Sequence, residues 1–248
     1  MKVKIMVLIV ALATPLREYA QTQINRTIPL QAGQTILMHF DYPELISITT
    51  WEKNEVSIQG EVSINGGEND DAFVLENKVN GNVVNIHSEI RDIKNLPQRI
   101  TIVRDGQKIM FRDKASFKEF QAAQGSSYNS MSWGPDIQIH LEIKVPRNTE
   151  TNVQSIYGMV EVTNFAGPIT VDATYGGVDA ALAERSVGEV TAETSFGQIY
   201  SNLDVKFGDD QVKSRDFYTF VSAKPGTGPR YNFESKYGNV YLRKAGTH

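Results

Sequence analysis

The chain has 248 residues, no cysteine, 40% apolar residues and a formal charge of −4. That composition excludes a disordered polymer, a disulfide framework and a Cys-ligated metal centre, and the lack of any basic run removes the electrostatic pull that nucleic-acid binding needs. A chain this long buries a sizeable core unaided, as one domain or two.

Lys2 and Lys4 precede a nine-residue apolar run, Ile5 to Ala13, with small residues at Ala11, Ala13 and Ala20. This is the layout of a secretory signal peptide over residues 1–20, with cleavage expected after Ala20. The run is too short to cross a bilayer, which takes roughly 20 apolar residues. No later stretch approaches that length, so the exported chain is expected not to span the membrane. Without Cys it has no residue for a lipid anchor at a new N-terminus. Export directs the protein to the periplasm or cell surface of a bacterium.

Residues 21–45 read as an N-terminal lead-in strand region. From Ile46 the segments Ile46-Ser47-Ile48-Thr49, Val56-Ser57-Ile58 and Val62-Ser63-Ile64 alternate apolar and polar residues and favour β-branched types. Such alternation predicts short strands with one buried face. Asn65-Gly66-Gly67 and Asn80-Gly81-Asn82 are turn clusters, and Val83-Val84-Asn85-Ile86 begins another strand. The longest strict alternation runs from Ile137 to Val145, where Pro146 stops it.

Residues 105–134 differ in character. Asp105-Gly106 is a turn signal, and Ser116-Phe117-Lys118-Glu119 matches a capping box for a short helix that Gly125 can close. Phe117 and Phe120 would share a helix face. The segment is either an insertion covering the open end or side of a β structure, or a binding loop carrying Tyr128 and Trp133.

A repeat occupies residues 153–242. Its copies are Ile156-Tyr157-Gly158-Met159-Val160, Thr174-Tyr175-Gly176-Gly177-Val178, Ser195-Phe196-Gly197-Gln198-Ile199, Phe217-Tyr218-Thr219-Phe220-Val221 and Lys236-Tyr237-Gly238-Asn239-Val240, at steps of 18, 21, 22 and 19 residues. Weaker echoes fall between them at Gly167, Gly188 and Gly208. A period near twenty with a two-part rhythm predicts an all-β fold: a β-solenoid, parallel β-helix-like, with coils of about 20 residues plus a short helical insertion. Stacking in chain order would bring Val160, Val178, Ile199, Val221 and Val240 into one interior column, and Val162, Ala180, Ala223 and Leu242 into a second. Tyr157, Tyr175, Phe196, Tyr218 and Tyr237 would form an aromatic ladder, exposed as a binding surface or buried as core.

Thr50-Trp51-Glu52-Lys53-Asn54-Glu55-Val56, Asn65-Gly66-Gly67-Glu68, the strand end Ile143-Lys144-Val145-Pro146 and the Tyr-Gly-x-Val repeats resemble an adhesin-like β-solenoid family of exported bacterial proteins, a domain of unknown function. The resemblance covers residues 46–242, leaving 243–248 as a tail. It implies a binding or adhesion-type role at the cell envelope and contributes no catalytic residues.

The four His, at 39, 87, 140 and 248, show no paired ligand spacing. His140 with Glu142, the cluster Glu68-Asn69-Asp70-Asp71, and Asp209-Asp210 read as solvated surface groups rather than cation sites. No Gly-x-Ser-x-Gly elbow or phosphate loop is present. No catalytic, cofactor or metal residues are therefore assigned. The expected role is non-enzymatic binding of an envelope or extracellular polysaccharide or protein, with the five aromatics as candidate ladder. The alternative is a β-helix polysaccharide-processing enzyme using Glu161 and Asp179.

Overall fold

The computed structural model describes residues 21–205, 207 and 212–246. The expected signal peptide, the Gly208 echo and the Asp209-Asp210 pair lie outside the described residues. Within them the strands are β1 (Thr22–Pro29), β2 (Thr35–Phe40), β3 (Leu45–Trp51), β4 (Glu55–Ile64), β5 (Phe73–Asn80), β6 (Val83–Ile90), β7 (Arg99–Arg104), β8 (Gln107–Phe111), β9 (Ser130–Gly134), β10 (Ile137–Pro146), β11 (Thr151–Ser155), β12 (Met159–Val162), β13 (Ile169–Ala173), β14 (Val178–Leu182), β15 (Glu189–Thr194), β16 (Ile199–Ser201), β17 (Val212–Arg215), β18 (Tyr218–Ala223), β19 (Arg230–Ser235) and β20 (Val240–Lys244). One α-helix, α1 (Lys114–Gln124), joins β8 to β9.

The strands form two large mixed sheets. Sheet one has the order β1-β4-β10-β3-β12-β14-β20-β16, and sheet two the order β17-β18-β15-β19-β13-β11-β2-β6-β5. They enclose a single large apolar cluster drawn from both, in a sandwich-like arrangement. Period-two burial explains the pairing: Val160 and Val162, Val178 and Ala180, and Val240 and Leu242 are fully buried, with polar residues between them facing out.

This architecture corrects the expected β-solenoid, parallel β-helix-like stack. Antiparallel pairs close one end of sheet one, at β1/β4 and β4/β10, and both ends of sheet two, at β5/β6, β15/β18 and β17/β18. The central strands also leave chain order, because β19 lies between β13 and β15 and β20 lies between β14 and β16. Four repeats do cross from sheet two to sheet one, as β11 to β12, β13 to β14, β15 to β16 and β19 to β20. The copy at Tyr218 does not. It forms the hairpin β17/β18, antiparallel on β15, so Val221 and Ala223 sit in sheet two, away from Val160 and Val162. The first interior column runs Ile46, Val160, Val178, Val240 and the partly buried Ile199, and the second runs Ile48, Val162, Ala180 and Leu242, ending beside the exposed Ser201.

The helical insertion packs on a small separate sheet, β8-β7-β9, where Phe117, Phe120 and Tyr128 cover Ile100, Ile102 and Phe111. Asp113, not Ser116, is the N-cap: its carboxylate accepts from the Ser116 N–H at 2.8 Å, and those hydrogen bonds hold it below the usual carboxylate range. Gly125 closes the helix with φ of 82°.

Candidate functional site

The aromatic-Gly segments form the corner where the chain passes from sheet two to sheet one. Parallel pairing sets neighbouring corners about 4.8 Å apart. At that spacing the backbones touch. A Cβ on Gly176 would stand 1.9 Å from the Gly158 carbonyl oxygen, and one on Gly238 would stand 1.8 Å from that of Gly176. Gly158 and Gly197 are equally confined, against Pro43 and Gly238.

A hydroxyl two residues before the ring locks the corner. Ser235 Oγ accepts from the Gly238 N–H at 2.9 Å and donates to the Gly176 carbonyl at 2.8 Å. Thr194 Oγ1 accepts from Gly197 at 3.0 Å and donates to Gly238 at 2.9 Å. Ser155 accepts from Gly158 and donates to that same residue's carbonyl at 3.1 Å, the acceptor that Ala173 on the neighbouring strand has no hydroxyl to reach.

The rings project outward from these corners. Six stack in sequence: Tyr42 on Tyr157 at 5.6 Å and 19°, Tyr157 on Tyr175 at 5.3 Å and 12°, Tyr175 on Tyr237 at 5.0 Å and 7°, Tyr237 on Phe196 at 5.1 Å and 10°, and Phe196 on Phe217 at 5.7 Å and 27°. Those distances and small angles describe offset stacking. Excluding the half-buried Tyr42, the rungs are 43% to 78% exposed. Their faces are partly shared with each other, so outward edges and phenol hydroxyls meet solvent.

Four of the five sequence-predicted residues, Tyr157, Tyr175, Phe196 and Tyr237, thus come together. Tyr218 does not join them. Its hydroxyl donates to Glu193 at 2.6 Å, and this hydrogen bond, with burial and the Glu193 charge behind it, pushes the phenol up to about 12. Phe217, held at φ of 64°, is the rung instead. Tyr42 was missed because Pro43 replaces the glycine and one extra residue separates it from Ile46, which pairs with Val160.

A second row accompanies the ladder three residues upstream of five of the six rings. His39, Gln154, Asp172, Glu234 and Glu193 lie side by side across β2, β11, β13, β19 and β15, on the outer face of sheet two. Glu234 stands between two carboxylates, and burial first, then the charges of Glu193 and Asp172, hold its carboxyl above the usual range. The unfolded chain therefore loses this proton at lower pH than the folded one. Stability attributable to the site falls as pH rises from the ordinary Glu value through the raised one. Glu234→Gln is expected to be more stable than wild type at pH 7.5 and to lose that advantage at pH 4, measured by urea midpoints; equal shifts at both pH values would refute the account.

Asp70, Glu68, Glu161 and Asp179 are committed to the fold, to a hydrogen bond or to ion pairs. Asp70 accepts from the Ile64 N–H at 2.6 Å and the Thr22 N–H at 3.1 Å, and Glu68 binds Arg99 at 2.7 Å as well as Arg112. Those guanidinium contacts, the Arg112 hydrogen bond foremost, lower the Glu68 carboxyl. Glu161 and Asp179 are neighbours on β12 and β14 and border a cleft of about 340 Å³. Asp179 is held there by Arg243 in a two-pronged contact, and Glu161 accepts from Ser47 at 3.1 Å. His140 lies 3.4 Å from Glu44.

Among the described residues, no helix is long and apolar enough to cross a membrane. No protein-family model and no curated protein matches the chain. Two solved structures are similar to it. One is a candidate cell-adhesion protein of Clostridium sporogenes, at 9% identity over 90% of this chain and 99% of that one, with a TM-score of 0.45. The other is a candidate adhesin of Bacteroides fragilis, at 9% identity over 90% of this chain and 98% of that one, with a TM-score of 0.22.

Proposed function

We propose that this chain is an exported cell-envelope protein with a non-enzymatic, adhesion-type binding role, and that the aromatic ladder is its contact surface. The observation that carries the reading is the continuous stack of Tyr42, Tyr157, Tyr175, Tyr237, Phe196 and Phe217, exposed at every rung but the half-buried Tyr42. Six rungs at about 4.8 Å per strand extend about 24 Å. A contiguous apolar strip of that length on a soluble surface calls for an occupant.

The ladder grips side-on. Half-exposed ring edges offer apolar contact, tyrosine hydroxyls offer hydrogen bonds, and the row from Gln154 to Glu193 supplies polar partners one step away. That combination suits an extended polysaccharide, whose sugar rings have apolar C–H faces and hydroxyl rims. Export is supported by Lys2, Lys4 and the apolar run that follows them.

The enzyme reading has its best support in Glu161 and Asp179. Paired carboxylate chemistry needs one group free as acid and the other as base or nucleophile. The Arg243 contact instead occupies the Asp179 carboxylate, which favours binding over hydrolysis.

Retention of the purified chain on a panel of immobilised envelope and host polysaccharides tests the reading. Wild type should be retained on at least one, and Tyr175→Ser/Tyr237→Ser should lose about tenfold or more in retention while keeping its far-ultraviolet circular dichroism. Equal retention by that variant would remove the ladder from the binding role. Soluble product that disappears with Glu161→Gln or Asp179→Asn would establish the enzyme instead.

A further inference from the structure

Parallel pairing of β2 with β6 places His39 directly beside His87, 48 positions apart in the chain. Their rings lie 5.2 Å apart at 38°. Two residues beyond His39, past the fully buried Phe40, Asp41 returns to the same outer face. One ligand atom from each of His39, Asp41 and His87 falls within 4.8 Å of the others.

From this juxtaposition we propose a divalent transition-metal site formed by His39, His87 and Asp41, with zinc as its fitting ion. Two imidazoles and one carboxylate are a donor set suited to zinc rather than to calcium or magnesium, which take oxygen ligands. Tetrahedral bonds of about 2.0–2.1 Å set ligand atoms about 3.3 Å apart. His39 Nε2 lies 2.8 Å from Asp41 Oδ1, so closure around an ion requires only small side-chain rotations.

The surroundings orient the ligands. Gln154, in register with His39 on β11, places Oε1 3.0 Å from His39 Nδ1. An Nδ1–H donated to that oxygen leaves the Nε2 lone pair aimed at Asp41, where two acceptors would face each other unless a proton or a cation lies between them. A partner of this kind on the second ring nitrogen is the usual support of a metal-bound histidine. Glu89 Oε2 stands 3.7 Å from His87 Nε2 and adds a second carboxylate within reach. Both histidines sit on interior strands, with Met38, Phe40 and Ile86 anchoring the backbone in the core, so their spacing is rigid. All three ligands are partly exposed and open to an incoming ion. Three protein ligands leave a fourth position for water or an oxygen of a bound molecule.

The test is titration of the untagged, chelator-treated chain with Zn²⁺ by calorimetry, with Co²⁺ absorption reporting geometry. Wild type should bind one ion saturably, raise its melting temperature with added Zn²⁺, and give the intense visible bands of tetrahedral Co²⁺. His39→Gln and His87→Gln should each weaken binding by about tenfold or more. Their side chains face out, so both should melt like metal-free wild type. His140→Gln should bind as wild type does. Absence of saturable binding by wild type overturns the proposal, as does undiminished binding by the His39→Gln/His87→Gln double variant.

Discussion

A chain ending at Gly228, lacking residues 229–248, is expected not to fold. The missing segment holds β19 and β20, which are interior strands of the two large sheets. Without it β13 loses its pairing with Tyr231 to Ser235, and β15 loses the same strand from the other side. In sheet one, β14 and β16 are parted by the loss of Val240 to Lys244. Tyr231, Phe233, Val240 and Leu242 are 2% exposed or less. Burial of each is worth roughly 1.5–3 kcal/mol, so these four alone match the whole stability of a typical domain, about 5–15 kcal/mol. Tyr231 adds a hydrogen bond from its hydroxyl to the Phe165 carbonyl at 2.7 Å, and burial raises that phenol's pKa. In a stack built in chain order, the last coil would be terminal and its loss local. Circular dichroism and size exclusion decide the matter: a truncated chain that stays monomeric and melts cooperatively would refute the interior placement of β19 and β20.

Gly176→Ala is expected to destabilise the protein by about 3 kcal/mol or more, the upper range for forcing an atom into packed space. The methyl carbon would overlap the Gly158 carbonyl, at 1.9 Å from its oxygen and 2.4 Å from its carbon. Neither atom belongs to a flexible side chain, so relief requires β12 and β14 to separate at the corner, which breaks the register of Val160 with Val178. The ladder rungs Tyr157 and Tyr175 would part with them. Gly81→Ala is the comparison. Its φ of 58° makes alanine unfavourable, yet no atom lies within 4 Å of the added carbon, and a cost of about 1 kcal/mol is expected. Guanidinium midpoints measure both. A Gly176 variant no worse than the Gly81 variant would show that the corner yields more easily than its contacts imply.

Much of the candidate surface was legible as spacing. An aromatic followed by Gly and then by an apolar β-branched residue marks the corner in Tyr157, Tyr175, Phe196 and Tyr237, because each of those three positions answers a separate demand: ring outward, backbone in contact, side chain in the core. The same rule misassigned Tyr218, where Thr219 stands in place of Gly and the chain turns into a hairpin. It also missed Phe217 and Tyr42, which reach the ladder by other backbone routes. The hydroxyls of Ser155, Thr194 and Ser235 were a readable signal at a constant offset. The polar row from His39 to Glu193 was not, since its members resemble any outward-facing strand residues until the strands are laid side by side.

Alternation, turn residues and the repeat period determined by themselves that this chain is β, which alternate residues of its clearest strands point inward, and where four of its corners lie. Those are local properties, dictated by the pleat and by what each side chain does in water. The order of strands was decided only in the tertiary structure. Every strand edge offers the same N–H and C=O groups, so any edge with a compatible register can pair with any other. That is why the final repeat could enter between β13 and β15, why the expected solenoid became two mixed sheets, and why His39 and His87 became neighbours.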